Sequence, residues 1–518
     1  MKRSVKWLLL GLCWGCLLIA FGWRSTPVAA ASQRVLLVYD SKNTVANGTA
    51  KIDTVQRALT SLNLKVRTVS QNQYHKGMLT QAYAGVVTMI NWPEVGLTNQ
   101  TFIHDRDQFQ GAKLHIGDNL TATEAQALGA QKQKVSLKQF TLKAQQASQQ
   151  LPFSETMTVL TQTHANSTTF GTLATQEKDA ATYAYGTVYQ HNGYLPDWRN
   201  NGLSLTLAVQ TMAQVFQRHM QQQPMLTITN VTPYSHLTLL AHLSQYCENH
   251  NIPFAVSTTT VAQNTTMAAY KRFTKALRNV ENHNGVVYLQ TPAVGNPGAY
   301  AQPQRELQNL ISNELVAFAQ NNVFPVGISS QGYWNQDRVY RQNFLTKTNS
   351  WLLLPDHQPT TFIHEDQQGT AVKQSFLAVS ASSFNTVKSL AQVQFAAPTA
   401  LTVKLPATQA KLQAVERQIT GLNVTWYQPA GHLDTTLQAG AVKVSYRDGQ
   451  YFLNGRPKMV NDVVKQNFKQ PTYQHVVRLK GFFKVQGMIL TVLFSVIFVI
   501  LIGFIWLGRK IYRNKYYR

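Results

Sequence analysis

Acidic side chains are scarce in this chain of 518 residues: 23 Asp and Glu stand against 47 Lys and Arg, a formal net charge of +24. Such a balance points to nucleic acid, an anionic lipid or an anionic polymer as partner, and location decides among them. Charged residues of both signs make up only 14% of the chain, so Gln, Asn and Thr supply much of the polar surface. Cysteine is scarcer still. Cys13 and Cys16 fall inside an N-terminal apolar segment, in a context unsuited to lipid attachment, and Cys247 is left alone. One cysteine makes no internal disulfide, which excludes a disulfide framework. No glycine-rich phosphate loop follows the first strand, where DSKNTVANGT holds Gly48 only, so no nucleotide, flavin or other cofactor is assigned. No Gly-x-Ser-x-Gly elbow surrounds Ser257, Ser329 or Ser330. Internal repeats and long low-complexity linkers are missing too.

What is present begins at the ends. Lys2, Arg3 and Lys6 precede an apolar run from Trp7 to Trp23, followed by the small residues Val28, Ala29 and Ala30. This reads as a secretory signal over residues 1–30; uncleaved, the same segment is an anchor. MILTVLFSVIFVILIGFIWL, Met488 to Leu507, carries no charge and is long enough to span a bilayer core of ~30 Å. It predicts one transmembrane helix over 487–508. Arg509, Lys510, Arg513, Lys515 and Arg518 follow in a basic tail, 509–518, which belongs on the cytoplasmic side. A single-pass protein of the plasma membrane with its body outside the cell is expected. There nucleic acid is no partner, and a surface polysaccharide, a wall polymer or lipid headgroups are. An exported chain with so little cysteine points to a Gram-positive cell envelope.

RVLLVYDS (34–41) and YAGVVTMI (83–90) read as buried parallel strands, KVRTVS (65–70) and AKLHIGDN (112–119) as further ones, with helical spacing between. This predicts a small α/β domain over 34–130, flavodoxin- or amidotransferase-like. Residues 131–222 read as connecting structure, irregular or β-type up to residue 185, with a helix from Leu203 to Met220. From Met225 the βα rhythm returns through strands at 252–259, 285–292, 323–329 and 350–356, with 375–379 and 401–405 placed to close a (β/α) barrel over 223–405. Residues 406–486 are predicted as a β-rich extension and stalk, with strands in LNVTWYQP and AVKVSYRDGQYFLNGRP and turns at Asp448-Gly449 and Asn454-Gly455.

LTITNVTPYSHLTLLAHLSQYCENHNIPFAVSTTTV, from Leu226, carries a more particular pattern: a strand, a Val-x-Pro turn, a helix, then an Ile-Pro-Phe strand. Through Val231, Pro233, Tyr234, Leu237, Ile252, Pro253 and Phe254 it resembles a bacterial membrane-anchored, polysaccharide-deacetylase-like family of unknown function. RVLLVYDS and YAGVVT look like that family's companion domain, so the resemblance covers Arg34 to Asp356. It implies a distorted (β/α) barrel holding one divalent metal on an Asp and two His, with a second Asp as base on water. In this chain the Asp pair falls on Thr229 and Asn230, the first His on Gln290 and the second on Val294. No group of this set is an anionic ligand or a base. The resemblance therefore implies a frame that has lost its catalytic groups, leaving amides and hydroxyls that suit sugar hydroxyls.

Other candidates stand beside this one. Tyr333 and Trp334 follow a barrel strand and suit stacking on a sugar ring or packing in an aromatic rim. Asp356, His357, His364, Glu365 and Asp366 cluster after another strand and form either a relocated metal or acid/base site or a solvated loop. His104, Asp105, Arg106 and Asp107 pose the same choice. His236 and His242, six apart, do not share a helical face. The sequence-level expectation is a pseudoenzyme, a binding or scaffold component of surface polysaccharide biosynthesis or export, alongside a membrane glycosyltransferase complex. The rivals are a metal-dependent deacetylase with a relocated site, and a structural surface protein without glycan binding.

Overall fold

The computed structural model describes residues 33–43, 47–175, 181–218, 221–261, 263–290, 303–331, 334–356, 365–459 and 480–516. The signal segment lies outside these residues. The chain divides into two compact units, Met1–Phe468 and Lys469–Arg518.

The first unit opens with β1 (Arg34–Tyr39), α1 (Gly48–Ser61), β2 (Lys65–Ser70), β3 (Gly85–Met89), α2 (Gln100–Gln108), β4 (Ala112–Ile116) and α3 (Ala122–Ala127). β1 shows why a continuous apolar run makes a central parallel strand. Val35 and Leu37 pack into one hydrophobic cluster and Leu36 and Val38 into another, so both faces are covered. The Gln- and Thr-rich stretch that follows is largely β: β5 (Gln131–Lys138), β6 (Phe140–Ala144), β7 (Ala147–Gln150), β8 (Ser154–Gln162), β9 (Thr168–Thr175), β10 (Thr182–Tyr189) and β11 (Asn192–Leu195). Most of these extend the first sheet, whose order is β2-β1-β3-β4-β11-β10-β9-β6-β7, while β5 and β8 pair as a separate ribbon. β11 runs parallel to β4, and the sheet turns antiparallel beyond it. Helix α4 (Gly202–Val215) lies on this half. It approaches so closely that a Cβ at Gly186 would stand 2.0 Å from Thr211 Oγ1.

Seven strands then close a parallel barrel: β12 (Met225–Val231), β13 (Phe254–Thr258), β14 (Gly285–Gln290), β15 (Gly327–Ser330), β16 (Ser350–Leu353), β17 (Gln374–Ser380) and β18 (Thr399–Lys404). β18 pairs back onto β12. Helices α5 (Leu237–Asn249), α6 (Ala268–Asn282), α7 (Pro303–Gln320) and the short α8 (Arg338–Asn343) lie between the strands in sequence. Leu226, Ile228, Val256 and Val287 join the helix residues Leu240, Leu243, Phe273 and Leu277 in one cluster. The alternate residues Met225, Ala255, Val286, Tyr288 and Ala400 face the lumen and belong to another, which continues onto Leu307, Ile311 and Leu315 of α7.

After α9 (Gln409–Gly421), β19 (Thr435–Ala439), β20 (Val442–Arg447), β21 (Gln450–Leu453) and β22 (Arg456–Lys458) form an antiparallel sheet. The two turn signals are where the hairpins reverse, with Asp448, Gly449, Asn454 and Gly455 all at positive φ. LNVTWYQP, by contrast, forms no strand. The sheet covers the amino ends of barrel strands: Tyr451 OH donates to Gly285 O at 3.4 Å, and Thr436 N to Asn349 Oδ1 at 2.8 Å.

The N-terminal sheet meets the opposite end of the barrel. Residues of the β16–β17 connection pair with β2, Thr68 N donating to Gln367 O at 2.9 Å and Gly369 N to Val66 O at 2.8 Å. Beside them Arg57 Nε holds Asp53 Oδ2 at 2.8 Å, and Arg57 Nη1 reaches Leu353 O at 3.5 Å.

The second unit is one helix, α10 (Lys480–Tyr516). Its stretch Lys484–Lys515 is unburied, and it is long and apolar enough to cross a membrane.

Candidate functional site

The carboxyl ends of the barrel strands are where a βα barrel presents side chains for chemistry or binding. At the end of β12 the pairing register with β13 breaks between Ile228 and Val231. Asn230 sits in this bulge at φ +61, exposed, in the left-handed region that Asn adopts more readily than branched residues. Its carbonyl accepts a hydrogen bond from Ser235 Oγ at 3.1 Å, and Thr232 N donates to the same Ser235 oxygen at 2.9 Å. The turn VTPYS is thus tied back onto the strand end. Thr229, one residue earlier, is buried, and its Oγ1 donates to Val403 O at 3.3 Å.

Gln290 ends β14 two strands away. Ser257 Oγ donates to its Oε1 at 3.4 Å and lies 2.7 Å from Ser329 Oγ. Ser257 is on β13 and Ser329 on β15, with β14 between them, so their contact crosses the lumen and both face inward. Both are fully buried. Deeper in the lumen, Tyr288 OH and Ser350 Oγ pair at 2.9 Å, and burial pushes the Tyr288 phenol well up. Thr227, fully buried on β12, has no partner for Oγ1.

The upper lumen is therefore furnished with hydroxyls and an amide. Its charge comes from a residue the sequence reading passed over: Lys404, which pairs in register with Thr229 and so shares its face of the barrel wall, is exposed at the rim. An ammonium beside Thr229 disfavours a divalent cation there. Hydroxyls and amides also offer no base that takes a proton from water at neutral pH. Among the described residues, no three His, Cys, Asp or Glu side chains are grouped to hold a metal.

Of the other candidates, Val294, Tyr333, His357 and His364 lie outside the described residues. Trp334 starts a 3₁₀ turn, Trp334–Gln336, after β15. Asp356 lies at the junction with the N-terminal sheet, next to the buried Asp53. Asp366 is engaged by Arg341, whose Nη1 is 2.7 Å from Oδ1 and whose Nη2 contacts Oδ2. Arg341 Nη1 also donates to Asn335 O at 2.6 Å, which makes this ion pair a clamp on the loop. The residues around His104 serve the fold as well. Arg106 is 1% exposed and lies 3.0 Å from Asp107 and 2.8 Å from Glu124, and His115 Nδ1 is 3.0 Å from Glu124. Asp105 accepts from Tyr74 OH at 2.7 Å.

The Ser257–Ser329 contact joins residues 72 positions apart on alternate strands. The one available signal was their place at the ends of two predicted strands. Lys404 carried a comparable signal, at the end of the strand predicted to close the barrel. In comparison with known proteins, neither a family model nor a curated protein matches the chain.

Proposed function

We propose that the chain is a membrane-tethered glycan-binding protein, with a barrel of carbohydrate-processing shape whose upper lumen binds without hydrolysing. It serves as a binding or scaffold component in making, exporting or retaining a surface polysaccharide. One observation carries the reading: Gln290, half-buried and braced by the buried Ser257–Ser329 pair, stands at the carboxyl end of the lumen two strands from the exposed amide of Asn230. Such groups match the donors and acceptors of sugar hydroxyls, and Lys404 adds attraction for a polymer carrying acidic groups. The apolar helix supplies the tether. The basic residues Arg509, Lys510, Arg513 and Lys515 favour a cytoplasmic tail and an outer body.

The test uses the full chain purified in detergent. Metal content, acetyl release from an acetylated aminosugar oligomer, and binding to purified surface polysaccharide are measured on one sample. No stoichiometric metal, no release, and binding weakened about tenfold (~1.4 kcal/mol) by Gln290→Leu are expected. Stoichiometric divalent metal together with acetyl release overturns the reading in favour of a relocated catalytic site.

A further inference from the structure

A second concave site lies away from the barrel lumen, in the N-terminal sheet. A cleft of roughly 540 Å³ opens at the carboxyl ends of β3 and β4 and beside the exit of β11, the usual place for a ligand on a parallel sheet. Its floor is built by the sheet itself. Asp40, just after β1, accepts Asn91 N at 2.7 Å and Trp92 N at 2.8 Å and so fixes the segment leaving β3. Gly117, at φ +99, lets the segment leaving β4 pass close to it: a Cβ there would stand 2.5 Å from Ile90 O.

This construction leaves two acceptors unused. Asn91 is 3% exposed and its Nδ2 donates to Ser41 O at 2.8 Å, but its Oδ1 has no partner. Asp118 is 5% exposed; its Oδ1 accepts from Asn119 N at 3.0 Å and from Thr158 Oγ1, and its Oδ2 has no partner. Both residues line the cleft. A buried acceptor without a donor is costly, and these two, closed off from solvent, lend the floor a negative potential that favours a cationic group above it.

The walls define that molecule further. Trp92 and Phe153 line the cleft with 43% and 55% of their surface exposed, leaving aromatic faces open. Glu94 and Glu155 stand on the same walls. Of the basic groups there, Arg199 is committed to Asp197, Nε to Oδ2 at 2.6 Å, leaving Lys51 against three carboxylates. In a chain of net charge +24 this is a local reversal of sign. An anion is disfavoured. A ring with donors and a positive charge fits, its apolar face on the aromatics and its ammonium toward the acids.

We propose that this cleft binds an amine-bearing sugar, a hexosamine unit with a free ammonium group, within a glycan chain. The site is built from residues separate from the barrel lumen and stands or falls independently of it.

The test titrates the full chain in detergent with glucosamine oligomers and, in parallel, with their N-acetylated counterparts. The free-amine oligomer is expected to bind at least tenfold tighter than the acetylated one. Trp92→Ala and Glu155→Gln, both at exposed positions compatible with folding, are each expected to weaken it several-fold, and Asp118→Asn more than tenfold. Lys411→Gln, at an exposed position on α9 outside the cleft, leaves it unchanged. Equal binding of the two oligomers overturns the assignment, as does binding that survives Trp92→Ala and Glu155→Gln in folded protein. Loss of binding in Gln290→Leu alone would place the amine site in the barrel and overturn the cleft.

Discussion

Two buried glutamates, Glu314 and Glu281, link stability to pH between the acid range and neutrality. Glu314 is 2% exposed with no partner for Oε2, and burial pushes its pKa up to about 8. Glu281 is raised by burial to about 8 as well, with Arg278 and a hydrogen bond from Phe324 N at 2.8 Å opposing the rise. Unfolded, each titrates near 4.5. Between these values the folded state holds more protons, so stability falls as pH rises from about 4.5 through about 8. Glu314→Gln is expected to raise the melting temperature at about pH 8 and to flatten its decline between about pH 5 and 8, with little effect near pH 4. Thermal melts across that range decide it. Glu124 works in the opposite direction. Burial alone would raise it, but His115 and Arg106 hold it down to about 2. Its contribution is present above about 4.5 and is lost as pH falls toward 2. Glu124→Gln is expected to cost roughly 2–3 kcal/mol at neutral pH, because the buried Arg106 keeps only Asp107 and His115 loses its carboxylate, and the deficit should shrink in acid.

At the scale of elements, the bulge that ends β12 gives a direct test. Asn230 holds a left-handed conformation, so Asn230→Val should cost about 1–2 kcal/mol and Asn230→Gly only a few tenths, read as shifts in urea midpoint. If both substitutions are equally harmful, the side chain matters more than the backbone. Elements of this kind were legible to different degrees. RVLLVY announced a strand buried on both faces, and Asp448-Gly449 and Asn454-Gly455 announced hairpin turns, because those signals are local. The closing role of β17 and β18 followed from their apolar runs. Ser257 and Ser329 as one cluster did not, since their contact is made only when alternate strands share a lumen. The strands between Gln131 and Tyr189 were faint because Thr and Gln fill their outward positions, and no local pattern says that β11 must lie beside β4. VFPVGIS read as a strand from Val323, yet the strand starts at Gly327, where a Cβ would stand 2.5 Å from Ser350 O. LNVTWYQP is apolar enough to read as β but makes no ladder; Trp426 packs instead as a half-buried side chain against the core.

For the whole molecule, the junction between sheet and barrel has a buried ion pair of α1 beside it, whose arginine reaches across to Leu353. Arg57→Leu leaves Asp53 in the interior without its counter-ion and should cost about 3–5 kcal/mol, measured by urea unfolding. The double change Asp53→Asn with Arg57→Leu should recover most of that loss, and failure to recover would show that Arg57 acts through its contact with Leu353 instead.

The pairing of the β16–β17 connection with β2 also fixes an order of events. Across this junction Arg57 and Leu353 lie 296 positions apart. A ribosome working from the N-terminus finishes β1 to β4 long before the segment that completes their outer edge. Through that interval the newborn sheet presents unpaired amides and carbonyls, an open template for neighbouring nascent chains. The late barrel loop thus serves as the stopper of an early sheet, and a truncation before Glu365 would yield a polypeptide that seeks that edge partner in another molecule.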